Sequence, residues 1–340
     1  MTKQPKNILI IKPGAIGDLL QLSPVVRALK KLLPQTRITI MVANTASIDL
    51  FRHNTQVDEV LVFEKRGEHR SWRAFAVLWA KLRQRNFDLV INYQRSNLKA
   101  WLLAAAAFPG RVLVYHRSKD PGIHAVTNHL QAVAPLGIDP NAVDNHLELF
   151  LGAEDERWAS EMVEREGLSG QQLVALNLGA SHPVNRWPVE NFANLAGLLS
   201  QELDVAILLV GGPSDRELAD AVLAQATVPV VDLVGHTSLL QLGAVLRKCS
   251  LLVSGDTGPM HLATAVGTRV VALFGAADPA RTGPIGDENV VIQATDLACV
   301  PCRSRACKSQ RHMECMKLID VDQVFQTVKE MLRKDSSCAS

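Results

Sequence analysis

The stretch Leu251 to Gly275, LLVSGDTGPMHLATAVGTRVVALFG, constrains the fold more than any other part of the chain. Leu251-Leu252-Val253 is a short apolar run closed by Ser254-Gly255, the pattern of a parallel strand buried on both faces. Asp256-Thr257-Gly258-Pro259 supplies helix-start chemistry, with capping side chains and a proline suited to the first helical turn. His261 to Val266 continues as a small-residue helix, Gly267-Thr268-Arg269 ends it, and Val270 to Phe274 is the next strand. The unit is β–α–β, and its strand-to-helix turn carries Asp, Thr, Gly and His together. In open α/β sheets ligands bind at such turns, outside the carboxyl ends of the strands.

The same alternation runs through the chain. Asn7 to Lys12 is a strand, Pro13-Gly14-Ala15-Ile16-Gly17-Asp18 a turn, and Leu19 to Leu33 has helical apolar spacing. Strands are expected at 38–42, 57–63, 88–92 and 111–115, with helices at 72–85 and 95–107. Residues 116–129 form a basic, histidine-rich loop whose His124 and His129, with His146, lack tight metal-ligand spacing. A helical bridge spans 147–168, its start marked by Glu154-Asp155-Glu156. A new strand at 173–178 places the domain boundary near 165–172, dividing the chain into 1–168, 169–320 and a terminal segment 321–340. In the second half successive strands end in small-residue turns: Gly179-Ala180-Ser181, Gly211-Gly212-Pro213-Ser214-Asp215, Gly235 to Ser238, Gly255 to Gly258, and Gly275. Backbone amides and helix N-termini gathered there suit a diphosphate.

Composition narrows the class. With 47% hydrophobic and 21% charged residues the chain is a globular protein. The apolar run Ile8 to Ile11 is too short for a signal-peptide core or a membrane span, which gives a cytoplasmic expectation. Residues 1–150 hold 20 Lys+Arg against 11 Asp+Glu, and the remainder 16 against 23. That asymmetry is either ordinary surface variation or the mark of an anionic partner for the first half. The first turn reads G-x-x-G-D, not G-x-G-x-x-G. Neither half carries the dinucleotide fingerprint with an acid about 20 residues on, so a nicotinamide-dependent oxidoreductase or epimerase is disfavoured. Taken alone, Asp18 reads first as an acid stabilised at its own helix N-terminus.

Three segments resemble glycosyltransferase family 9, the ADP-heptose:lipopolysaccharide heptosyltransferases. They are ILIIKPGAIGDLLQLSPVVRALK from Ile8, LNLGASHPVNRWPVENF from Leu176, and the run from Leu251 to Gly286. The tail CVPCRSRACKSQRHMECMKLI from Cys299 resembles the heptosyltransferase II branch. The resemblance implies an α/β GT-B fold: two Rossmann-like, doubly wound domains facing across a cleft, with the acceptor on the first, the donor nucleotide on the second, and the last helix crossing back. It implies transfer of a heptose from ADP-heptose to a phosphorylated, lipid-linked inner-core acceptor, at the cytoplasmic face of the inner membrane and with no nucleic acid involved.

It also distributes roles. Asp18 matches the acid after G-x-x-G and would be the general base, its effect resting on position because an ordinary carboxylate is a weak base. Gly14 and Gly17, with Arg117 and Lys119 of the basic loop, would meet the acceptor. Arg186, before Trp187-Pro188, would clamp the diphosphate, helped by Gly179, Ser181, Gly212, Thr257 and Gly258. Asp256, being anionic, would hold its own turn or a sugar hydroxyl; Asp215 would lie near the ribose or heptose. His261 would touch phosphate or heptose, or else pack as a core histidine beneath the turn. A non-catalytic binder is disfavoured by the presence of both Asp18 and Arg186. No D-x-D closes a strand, so no cofactor is required at the diphosphate, although magnesium is compatible. Cys299-x2-Cys302-x4-Cys307-x7-Cys315 has spacing compatible with zinc or an iron–sulfur cluster; free thiols or an adventitious disulfide are the alternatives.

Overall fold

The computed structural model describes residues 4–64, 67–94, 98–106 and 110–338. The chain divides into two compact units, Met1–Phe150 and Leu151–Ser340. Among the described residues the first unit holds β1 (Asn7–Ile11), β2 (Arg37–Val42), β3 (Glu59–Val62), β4 (Leu89–Asn92) and β5 (Arg111–Val114). They form one parallel sheet in the order β3-β2-β1-β4-β5. The second unit holds β6 (Gln172–Asn177), β7 (Val205–Val210), β8 (Val231–Asp232), β9 (Leu251–Gly255), β10 (Arg269–Phe274) and β11 (Val290–Gln293), parallel in the order β11-β10-β9-β6-β7-β8. The α/β, doubly wound expectation holds in each unit. In the first, strand order reverses between β1 and β4; in the second, between β6 and β9. The carboxyl ends of those four strands are therefore where a ligand is expected.

Burial explains why these runs are strands. Ile8 to Ile11 are wholly inaccessible, as are Leu251 to Val253 and Val270 to Phe274, which fits a sheet covered by helices on both faces.

Several boundaries differ from the sequence reading. The helix expected over 19–33 is two helices, Ile16–Leu20 and Ser23–Leu32. Pro24 has no N–H to continue the ladder and sits instead in the first turn of the second helix. The expected loop 116–129 contains the start of a helix, Ala125–Gln131, capped by His124, whose ring nitrogen accepts from Val126 N–H at 3.2 Å. Of the helix expected at 95–107, Leu98–Ala106 is observed, and residues 95–97 and 107 lie outside the described residues.

The boundary itself falls about twenty residues earlier than expected, because Ala153–Arg165 belongs to the second unit. That helix packs against Leu239–Lys248, and Arg247 pairs with Glu156 at 2.7 Å. The terminal helix Val321–Cys338, expected to cross back to the first domain, commits its apolar stripe to the second unit. Val324, Phe325, Val328, Met331 and Leu332 are each at most 5% exposed and join that unit's core. Five such side chains, at about 1.5–3 kcal/mol each, outweigh the Lys329–Glu202 pair at its surface, worth about 0–1 kcal/mol.

Candidate active site

At the end of β1 the chain turns sharply: Gly14 N–H bonds back to Lys12 C=O at 2.9 Å. A Cβ on Gly14 would stand 2.7 Å from Cβ of Asp18, so glycine is what lets Asp18 fold over the turn. Gly17, expected beside it as an acceptor contact, is buried within its helix. The Asp18 side chain is 48% exposed, and its Oδ1 accepts from Lys12 Nζ at 3.0 Å. Burial acts to raise the Asp18 pKa, but the Lys12 charge and hydrogen bond outweigh it, leaving the carboxyl below its ordinary value.

Lys12 is only 9% exposed. Its Nζ also lies 3.3 Å from His129 Nε2. An ammonium only donates, so Nε2 must accept, which places the imidazole proton on Nδ1, facing Gln21 C=O at 3.4 Å. Burial and the Lys12 charge push the His129 pKa down to about 3, so the ring stays neutral and leaves Lys12 to Asp18.

The aromatic rings of Tyr93 and Tyr115 pack on His129, with centroids 5.2 and 5.4 Å away, and Tyr93 O–H donates to His129 C=O at 2.9 Å. Asn128 reaches outward: its Oδ1 accepts from Ser118 N–H at 3.0 Å. Ser118 lies between Arg117 and Lys119, both exposed. The structure thus ties the basic loop to the end of the sheet that carries Asp18. Asn92, fully buried at the end of β4, keeps a side-chain N–H that has no hydrogen-bond partner among the described residues.

In the second unit the ends of β6 and β9 are joined by Asn177, whose Nδ2 donates to Ser254 Oγ at 3.1 Å and to Gly179 C=O at 3.0 Å. The short turn Pro183–Asn185 lies over β9: a Cβ on Gly255 would stand 2.6 Å from Asn185 C=O. Trp187 pins that turn from below. It is 3% exposed, packs edge-on to Phe192 at 5.0 Å, and donates Nε1–H to Ile319 C=O at 3.0 Å. Arg186, the residue before it, is partly buried; its Nη2 donates to Ala180 C=O at 3.3 Å, while its buried Nε has no hydrogen-bond partner among the described residues. A guanidinium anchored at one nitrogen with a donor to spare is suited to an anion.

Helix Gly258–Ala265 starts at the same strand end, with Pro259 in its first turn and no side-chain cap from Thr257, so its leading amides are not occupied by a Thr257 hydroxyl. Asp256, Thr257 and Gly258 are partly exposed there, and Ser181 is exposed. Two of the expected donor contacts are buried. Asp215 is 9% exposed; its Oδ2 accepts from Gly212 N–H at 3.0 Å, and a Cβ on Gly179 would collide with its carboxyl group. It ties the β7 turn to the β6 turn. His261 is 5% exposed, buried beneath the turn.

Sequence reasoning missed Lys12, Tyr93, Asn128 and His129. One signal was present: a lysine directly after four buried apolar residues must meet a partner or lose its charge.

The model of glycosyltransferase family 9 (heptosyltransferase) matches residues 75–313. The lipopolysaccharide core heptosyltransferase OpsX of Haemophilus influenzae is 26% identical, over 85% of each chain. Lipooligosaccharide heptosyltransferase 2 of Campylobacter jejuni is 24% identical, over 96% of this chain and 99% of that one. In fold, a family 9 glycosyl transferase from Veillonella parvula superposes with a TM-score of 0.84, at 24% identity and 97% coverage of both chains. The ADP-heptose lps heptosyltransferase II of E. coli superposes with a TM-score of 0.78, at 20% identity, covering 97% of this chain and 99% of that one.

Proposed function

This chain belongs to glycosyltransferase family 9, and from that membership we propose that it transfers a heptose from ADP-heptose to a phosphorylated inner-core acceptor of lipopolysaccharide, with inversion at the anomeric carbon. The observation that carries the reading is the pairing of roles at two sheet ends. One holds a half-exposed carboxylate kept anionic by Lys12; the other holds an Arg186 with an unused buried donor beside a helix N-terminus.

Asp18 accepts the proton of the acceptor hydroxyl as that oxygen forms its bond to the anomeric carbon. The bond from that carbon to the diphosphate breaks, and ADP leaves with the electron pair. Negative charge grows on the diphosphate as it departs. Arg186 and the amides of Thr257 and Gly258 bind that charge, so no metal ion is required at the diphosphate. Neutral His129 holds Lys12 in place and takes no proton. Arg117 and Lys119 bind the acceptor's phosphates. Incubation with ADP-heptose and a panel of truncated core lipids, followed by ADP release, tests this. Release is expected only with a phosphorylated core; turnover with another nucleotide sugar and none with ADP-heptose would overturn the heptosyl assignment.

A lipid-linked acceptor and a basic first unit also support peripheral attachment to an anionic membrane face, the cytoplasmic side of the inner membrane. No helix among the described residues is long and apolar enough to cross a membrane. Helix Trp72–Gln84 buries Phe75, Leu78 and Leu82 and turns Arg73, Val77 and Lys81 outward; Trp72 is 67% and Val77 56% exposed. Exposed tryptophan beside basic residues suits an anionic lipid surface. Neutralising Arg73 and Lys81 together is expected to weaken co-sedimentation with anionic vesicles by about 1 kcal/mol per charge, or about fivefold each. Equal binding of the unmodified protein to neutral and anionic vesicles would count against attachment by this helix.

A further inference from the structure

The proposed transfer leaves four thiols without a role. Cys299, Cys302, Cys307 and Cys315 all line one cavity, together with Val184, Ala276 and Leu297. The first three belong to residues 294–313, which contain no helix or strand and in which no residue is buried. A structureless connection longer than about 12–15 residues is uncommon in a compact domain and is usually functional. This one has no apolar core to fix it, yet it has a defined path. Arg303 and Met313 take left-handed backbone angles, φ 54° and 56°. Arg303 N–H bonds to Ala276 C=O at 2.7 Å, and its guanidinium pairs with Asp278. Met313 N–H donates to Cys307 Sγ at 3.3 Å, the type of bond that supports a metal-bound sulfur. Gly275 admits the fourth thiol: a Cβ there would stand 2.9 Å from Cys315 Sγ.

Coreless segments of this kind are commonly held by disulfides or a structural metal. We propose that Cys299, Cys302, Cys307 and Cys315 bind a single divalent ion of zinc type in a tetrahedral thiolate cage, which staples residues 294–313 to the end of β10. The spacing C-x2-C-x4-C-x7-C provides the close first pair and the two distal ligands such a cage uses. The loop's charge favours it. Four thiolates around a divalent ion leave a net negative cage, and residues 294–313 carry Arg303, Arg305, Lys308 and Arg311 against Asp296 alone. No three of the sulfurs lie within 4.8 Å of one another, so binding draws the Cys299–Cys302 and Cys307 limbs inward toward metal–sulfur distances of about 2.3 Å. That movement breaks no strand ladder or helix, since the limbs belong to neither. Each thiol releases its proton to solvent as it binds. Because Val184 lines the same cavity, the cage also braces the turn that carries Arg186.

The test uses the full chain purified under reducing conditions. Elemental analysis should find one zinc-type ion per chain and no acid-labile sulfide. After chelation, added Co(II) should produce sulfur-to-cobalt charge-transfer absorption with tetrahedral d–d bands, and should shield four thiols from a thiol reagent. Cys302→Ser should lower Co(II) affinity by more than the roughly 10–100-fold that a change outside the ligand set costs. Cys249→Ser, at a buried cysteine outside the cavity, should leave it unchanged. Chelation and cobalt loading of the unaltered protein stand even where a variant misfolds. Substoichiometric metal, acid-labile sulfide, disulfides among the four, or thiol reactivity indifferent to metal would each overturn the proposal. None of these readouts involves a substrate, so their failure is distinct from failure of the transferase reading.

Discussion

Asp18→Asn is expected to lower kcat/KM by about 10²–10⁴-fold, the range that a positioned general base supplies, while the fold persists. The amide keeps the shape of the carboxyl group and an oxygen that accepts from Lys12, so the turn built on Gly14 stays closed. It cannot take a proton from the acceptor hydroxyl. Because Lys12 holds the Asp18 pKa below its ordinary 3.8, the carboxylate is ionised throughout the neutral range. Activity that needs the ionised form is lost only as pH falls through that lowered value, so the native enzyme should show no Asp18 limb near neutrality. Lys12→Met removes the largest opposing influence and leaves burial opposed only by His129 and the Ala15 backbone hydrogen bond. The acid limb of kcat/KM should then move up by about one to three pH units, the effect of one close opposite charge. A native-like Asp18→Asn variant with unchanged turnover would end the base assignment, and an unmoved limb in Lys12→Met would end the account of its pKa.

Arg186→Ala should cost about 10²–10³-fold in kcat, comparable to the loss of one preorganised donor at a site of developing charge. The size of the effect follows from how firmly the side chain is held. Trp187 is buried below it and Ala180 C=O anchors Nη2, leaving Nε as an aimed donor rather than a mobile surface cation. Charge on the diphosphate grows as ADP leaves, so the loss should fall more on kcat than on KM for the donor. Arg186→Lys should recover only part of it, because an ammonium offers a point charge in place of a planar fork. Steady-state kinetics with ADP-heptose, with a thermal melt to confirm folding, separate these cases. Unchanged kcat and donor KM in Arg186→Ala would remove the residue from the donor site.

Much of the second unit's site is legible in the sequence. Strand ends marked by Gly179, Gly211, Gly255 and Gly275 stand out because a buried parallel strand is a short apolar run and its turn needs small residues. The order of those strands is not legible, since nothing local states that β9 lies beside β6 rather than β8. Two carboxylates show the same limit. Asp215 and Asp18 both follow glycine-rich turns, yet Asp215 is occupied with Gly212 and pressed on Gly179, while Asp18 stands half-exposed on a lysine.

By itself, then, the sequence determined the alternation of strands and helices, the two-unit plan and the turns at the strand ends, because periodicity and turn chemistry depend on neighbours a few residues apart. Only the tertiary structure decided that Lys12 stands between Asp18 and His129, that helix Ala153–Arg165 joins the second unit, and that the last helix is committed there too. The physical reason is distance along the chain. Lys12 and His129 are 117 positions apart, and the neutral state of His129 is set by its burial and the Lys12 charge beside it, which exist only once the sheet has formed.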